Sequence, residues 1–236
     1  GRGIGRVIAL AYAAEGANLG LGARTATEVD AVALEALELG VRAIPLQADV
    51  SAEDEVRRAV ADTLAEFGRI DILVNNAGIT PGAAGGPIRS VLDVTSEFWD
   101  LTFAINCRGP FLMIREVTPS MIARGSGSII SITSKVATQP LVANAPYGPS
   151  KAALEVLTRV VDAEFAGHGL RANLLHPGGP VATSIFNEFY QPFSGEVASP
   201  AVIRGAAVWL ASDAAAGVHG AVIDARAWNA EHGTWQ

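Results

Sequence analysis

Gly127-Ser128-Ile129-Ile130-Ser131-Ile132-Thr133-Ser134 is followed, after an irregular segment, by Tyr147-Gly148-Pro149-Ser150-Lys151 at the head of an Ala- and Leu-rich run. Alternating Ser and Ile read as a strand, and a hydroxyl on its last residue reaches the edge of a sheet, where open α/β folds keep their sites. Pro149 falls in the first turn of the following helix, a position that tolerates proline, so Tyr147 and Lys151 stand one turn apart on one face. An ammonium beside a phenol favours the phenolate, which lets the tyrosine exchange a proton nearer neutral pH than a free phenol does. The stretch therefore places Ser134, Tyr147 and Lys151 as candidates for acid–base chemistry. Tyr-x-x-x-Lys alone is weak evidence, because the pair recurs by chance in many helices.

The rest of the chain narrows the class. Its 236 residues fit one large α/β domain, and with half of them hydrophobic, 17% charged and a mean hydropathy of +0.30 there is apolar surface enough to cover both faces of a sheet. A formal net charge of -7 and a pI near 5.1 argue against a nucleic-acid or anionic-membrane surface. The single Cys107 cannot close an internal disulfide, and the four His, 168, 176, 219 and 232, lack metal-ligand spacing. The expectation is a cytoplasmic protein without a metal. No apolar run approaches the roughly 20 residues of a membrane span, and no signal peptide is visible, although a start at Gly1 leaves a removed leader open.

Together with the strand-end Ser134, Asn75-Asn76-Ala77-Gly78 after an earlier apolar strand (70–74) and Gly3-Ile4-Gly5 at the start make a pattern of several motifs. By these the chain resembles the short-chain dehydrogenase/reductase family from residue 1 to about residue 184, and more loosely to its end. The resemblance implies a single Rossmann-like domain over 1–236, a doubly wound parallel α/β sheet. It also implies reversible hydride transfer between a nicotinamide and a carbonyl or alcohol carbon of a small molecule, in a dimer or tetramer. Gly3 and Gly5 match the last two glycines of the family's Thr-Gly-x-x-x-Gly-x-Gly; the first strand, the Thr and the first Gly would lie before residue 1. Without that strand its neighbours would lack ladder partners.

Residue by residue, the resemblance assigns catalysis to Ser134, which bonds the substrate oxygen, and to Tyr147, which moves the proton. Lys151 tunes the tyrosine and grips the nicotinamide ribose, and Asn106 bends its helix and holds a water linking Lys151 to solvent. The pyrophosphate falls on Gly3, Ile4 and Gly5, because glycines at a helix N-terminus let phosphate approach backbone N–H groups; a short Gly cluster is equally a turn. Arg24 follows Ala23, the family's usual carboxylate position for the adenosine ribose, so NADP(H) is expected over NAD(H), with Arg2 as a second phosphate contact; a solvated surface Arg is the alternative. Asp49 and Val50 are placed at the adenine, with Ser51 the better cap for the next helix, which would leave Asp49 free. Asn75, Ala77 and Gly78 line the cofactor, and Pro177, Gly178 and Thr183 meet the nicotinamide amide and pyrophosphate.

The aromatic cluster Ile185–Phe193 reads either as a lid over an apolar substrate, at about 184–199, or as a packed surface helix. Cys107 reads as core. The tail Gly220–Asn229 replaces the family's closing Val-Asp-Gly-Gly strand. Two other readings compete: a dinucleotide-binding sensor or scaffold without turnover, and an epimerase or dehydratase on the same fold.

Overall fold

The computed structural model describes residues 2–84, 88–183 and 196–233. Among the described residues six parallel strands, β1 (Leu19–Ala23), β2 (Ala43–Gln47), β3 (Ile72–Asn75), β4 (Gly127–Ile132), β5 (Leu170–His176) and β6 (Val222–Asp224), alternate with helices. They form two pieces of sheet, β1-β2 and β3-β4-β5-β6, each hydrogen-bonded within itself. The facing edges of β1 and β3 are not paired with each other, the gap expected where a further strand would stand.

The quoted Ser/Ile stretch sits at the centre of the larger piece. All six β4 residues are buried, and their alternation divides them between two cores. Ile129 faces Val117, Met121 and Val161 on one side, and Ile130 and Ile132 face Leu175, Ile203 and Leu210 on the other. Each fully buried isoleucine contributes about 1.5–3 kcal/mol. The intervening serines are satisfied: Ser128 Oγ donates to the Leu210 carbonyl at 3.0 Å, and Ser131 Oγ accepts from Thr158 at 3.1 Å. On one face lie α1 (Gly3–Ala14) and α7 (Arg204–Ala211); on the other lie α3 (Glu53–Phe67), α5 (Gly109–Arg124) and α6 (Tyr147–Phe165). Helices on both faces of a parallel sheet are the doubly wound arrangement.

Local chemistry departs from expectation at several ends. Ser51, expected to cap α3, does not do so with its side chain, and neither does Thr25 before α2 (Ala26–Glu38). Pro200–Ile203 is a 3-10 turn capped by Ser199 before α7 begins. The tail is a three-residue strand, β6, cut short because Asp224 Oδ1 accepts from the N–H groups of Arg226 and Ala227 and so starts α8 (Ala225–His232). Cys107 is half-buried, not core. The expected lid cluster Ile185–Phe193 lies outside the described residues. Among the described residues no helix is long and apolar enough to cross a membrane, and no group of His, Cys, Asp and Glu gathers as metal ligands.

Candidate active site

β4 ends at Ile132, and two residues later Ser134 opens a short 3-10 turn in extended backbone, half-buried. α6 begins at Tyr147, with Pro149 in its first turn. One cavity of about 1160 Å³ is lined by Ser134, Tyr147 and Lys151, by the head of α1 from Arg2 to Gly5, and by Arg24, Asn75, Ala77, Gly78, Pro177 and Thr183. It runs on into the space between β1 and β3, which is why Leu19, Leu21, Leu73 and Val74 also line it.

Lys151 is buried, donates to the Ile132 carbonyl at 2.8 Å, and places its Nζ 5.9 Å from the centre of the Tyr147 ring. Burial disfavours its charged form and pushes its pKa down to about 8. Asn106 sits within a π-turn, Ala104–Arg108, joining α4 (Ser96–Phe103) to α5, the irregularity expected of a helix bent at this residue. Its side chain is fully buried; Oδ1 accepts from Ile79 N–H at 2.8 Å, and Nδ2 donates to the Ile79 carbonyl at 2.9 Å and to Ser150 Oγ at 3.0 Å. Both amide hydrogens are therefore used by protein. A side chain at Gly78 would begin 3.2 Å from Asn106 Oδ1 and 3.6 Å from Lys151 Nζ, so the two groups converge under that glycine.

At the other end of the cavity, Gly3 takes φ +58°, a left-handed value that favours glycine, and its missing Cβ would lie 3.2 Å from Thr183 Cγ2. Gly5 abuts Asn76 so closely that a Cβ would lie 2.6 Å from Nδ2. The glycine turn, Asn76 and Thr183 thus close on one another. No acidic residue occupies the first turn of α1, and Arg2, its N-cap residue, makes no side-chain cap; Arg2 instead pairs with Glu28 at 3.7 Å from an exposed position. Arg24 is exposed on the cavity rim after β1.

Some assignments are not met in the expected form. Asp49 does not line the cavity and is not free: its Oδ1 accepts from both the N–H and the hydroxyl of Ser51, at 2.8 and 2.6 Å. Those bonds hold its carboxyl below the usual range against the opposing effect of burial. Ser51 makes an Asx turn with Asp49, and that is why it does not cap α3. Val50 does line the cavity. Asn75 points into the sheet, donating to Ser131 Oγ at 3.4 Å. Gly178 and Asn106 stand behind the lining rather than in it.

The family described as enoyl-(acyl carrier protein) reductase matches residues 1–225. The chain belongs to the short-chain dehydrogenase/reductase family. A 3-oxoacyl-[acyl-carrier-protein] reductase of Synechocystis is 34% identical over 238 residues, 98% of this chain and 92% of that protein. The crystal structure of a 3-ketoacyl-ACP reductase from Sinorhizobium meliloti superposes with a TM-score of 0.85 at 32% identity, covering 95% of this chain and 94% of that one. A metagenomic short-chain oxidoreductase in complex with NADP superposes with a TM-score of 0.79 at 28% identity, over 94% of this chain and 91% of that one. As a short-chain dehydrogenase/reductase the chain is an oxidoreductase. Sequence reasoning gave no role to three residues near the site: Lys135 and His176, which line the cavity, and Asp224, which pairs with Lys135. Of these His176 carried the clearest signal, directly before Pro177-Gly178.

Proposed function

We propose that the protein is an NADP(H)-dependent oxidoreductase that interconverts a carbonyl and an alcohol, with Ser134, Tyr147, Lys151 and Asn106 as its catalytic set. The carrying observation is that one cavity joins the uncapped N-terminus of α1 to Ser134, Tyr147 and the buried Lys151. A dinucleotide fits the residues present: Gly3 in a left-handed conformation, Gly5 with no room for a Cβ, the positive end of a twelve-residue helix, and Arg2 and Arg24 on the rim. A bound nicotinamide supplies or accepts the hydride.

In this reading Ser134 Oγ–H donates to the substrate oxygen and holds it beside Tyr147. During reduction Tyr147 Oη gives that oxygen its proton; during oxidation it takes the proton back. Lys151 in its charged form favours the phenolate and so lowers the cost of that transfer. Asn106 fixes Ile79 and Ser150 under the lysine, and since its amide hydrogens are used, a water leading from Lys151 to solvent at this position sits on backbone atoms. The preference for NADP(H) rests on Arg24 at the end of β1 and agrees with the NADP-bound relative. Apolar surface exposed at Trp99, Leu101 and Phe111 on α4 and α5, and at Val156 and Val160 on α6, supports a homo-oligomer.

A spectrophotometric screen of NADPH oxidation against varied ketones tests the reading. Turnover with at least one ketone is expected; stoichiometric NADPH binding without oxidation, or isomerisation without net NADPH loss, contradicts it. Arg24→Ala should lower kcat/KM for NADPH by roughly ten- to a hundredfold, the worth of one charge-assisted bond, and leave NADH unaffected. A wild-type enzyme that prefers NADH sinks the Arg24 assignment.

A further inference from the structure

Behind the Pro177–Pro180 loop the chain carries a group of side chains that the proposed chemistry does not use. β5 and β6 end together, His176 paired in register with Asp224. His176 Nδ1 accepts the Gly178 N–H at 3.0 Å, which puts the ring proton of the neutral imidazole on Nε2. Gly178 takes φ +83°, and a Cβ there would lie 2.2 Å from Asp224 Oδ1 and within 3 Å of the Arg226 stem. Gly179 lies over the Arg226 guanidinium, 3.2 Å from its central carbon to a Cβ position. Arg226 Nη2 donates to the Pro180 carbonyl at 3.0 Å, and among the described residues its buried Nε has no partner. Asp224 Oδ2 pairs with Lys135 Nζ at 3.0 Å, and Lys135 directly follows Ser134.

We propose that Asp224 and Arg226 are positioning residues: the head of α8 clamps the Pro177–Pro180 loop from behind and, through Lys135, fixes the turn that carries Ser134. The two arms start two residues apart at the first turn of one short helix, so the loop and the serine are set relative to each other by a single rigid piece. A loop that turns on two glycines has little stiffness of its own. It owes its course here to a fixed guanidinium plane, a carboxylate and the His176 acceptor. This rests on the proposed use of the loop at the nicotinamide, and it adds a role for a tail that departs from the family's usual ending.

The test compares wild type with Arg226→Met and Arg226→Lys. Arg226→Met keeps the stem that packs under Gly178 and removes the bond to Pro180; Arg226→Lys restores a donor. Three readouts are taken: hydrogen–deuterium exchange of peptides covering 176–183, NADPH affinity by fluorescence, and steady-state kinetics. In Arg226→Met, exchange should rise in that segment, NADPH affinity should weaken and kcat at saturating NADPH should fall, the last on the order of tenfold or more for a small misplacement. Arg226→Lys should recover most of each. Unchanged exchange in Arg226→Met overturns the clamp. So does a variant whose exchange rises across the whole chain in step with a lowered Tm, with no recovery in Arg226→Lys. Because exchange is read without cofactor, a wild-type protein that fails to oxidise NADPH counts against the proposed reaction, while the exchange data still decide the clamp.

Discussion

Replacing Lys151 by Met should change the pH dependence of stability in a direction fixed by burial. In the native protein the ammonium is enclosed, its pKa pushed from an ordinary 10.5 to about 8; in the unfolded chain it returns to the ordinary value. Below pH 8 both states hold the proton, and the native state carries the whole cost of burying the charge. Between about 8 and 10.5 the unfolded chain binds more protons than the native one, so raising the pH stabilises the native state, by about 1.4 kcal/mol per unit. Lys151→Met lacks this contribution. The variant also leaves the Ile132 carbonyl without its donor, but that loss does not titrate. Denaturant unfolding of both cofactor-free proteins at pH 7 and at about pH 9.5 separates the two effects. The stability of wild type relative to Lys151→Met should increase by about 2 kcal/mol between the two conditions. A difference that stays constant, or shrinks with rising pH, would refute the picture of a desolvated ammonium under the tyrosine.

Three further outcomes follow from named contacts. Ser134→Ala should reduce kcat by roughly a hundredfold, the usual worth of one donor aimed at a developing oxyanion, with little change in NADPH affinity; steady-state kinetics and a binding titration check both. Asn106→Ala strips both partners from the buried backbone of Ile79, and at about 1–3 kcal/mol per orphaned group it should destabilise the protein by roughly 3 kcal/mol, visible as a lowered denaturation midpoint. Gly5→Ala drives a methyl into Asn76, and should weaken NADPH binding more than it lowers Tm.

The centre of the site was readable because its determinants are local. Strand alternation set which β4 side chains enter each core, and helical spacing put Tyr147 and Lys151 on one face. The polar Asn106 in an apolar run pointed to a buried, satisfied group, and the family resemblance to a bend there, where the helix opens into a π-turn. The bond between Asp49 and Ser51, in place of a Ser51 cap, was hidden because a carboxylate before Ser51 can serve the next helix, a ligand or its own turn. That choice depends on side-chain torsions that neighbouring residues do not dictate. The tail was opaque for another reason: Asp224 ends a strand and caps a helix at once, and only tertiary contact shows that Gly178 leaves room for it. Long-range pairs such as Lys135 with Asp224, and Arg226 with Pro180, have no sequence period at all.

Tyr147→Phe tests the central claim most directly, because it removes one oxygen and leaves the ring beside Lys151. NADPH should bind the variant as it binds wild type, while ketone reduction falls by a factor on the order of a hundred to ten thousand, the range for loss of a positioned acid. A variant that reduces the same ketone within a few-fold of wild type would show that the proton comes from elsewhere.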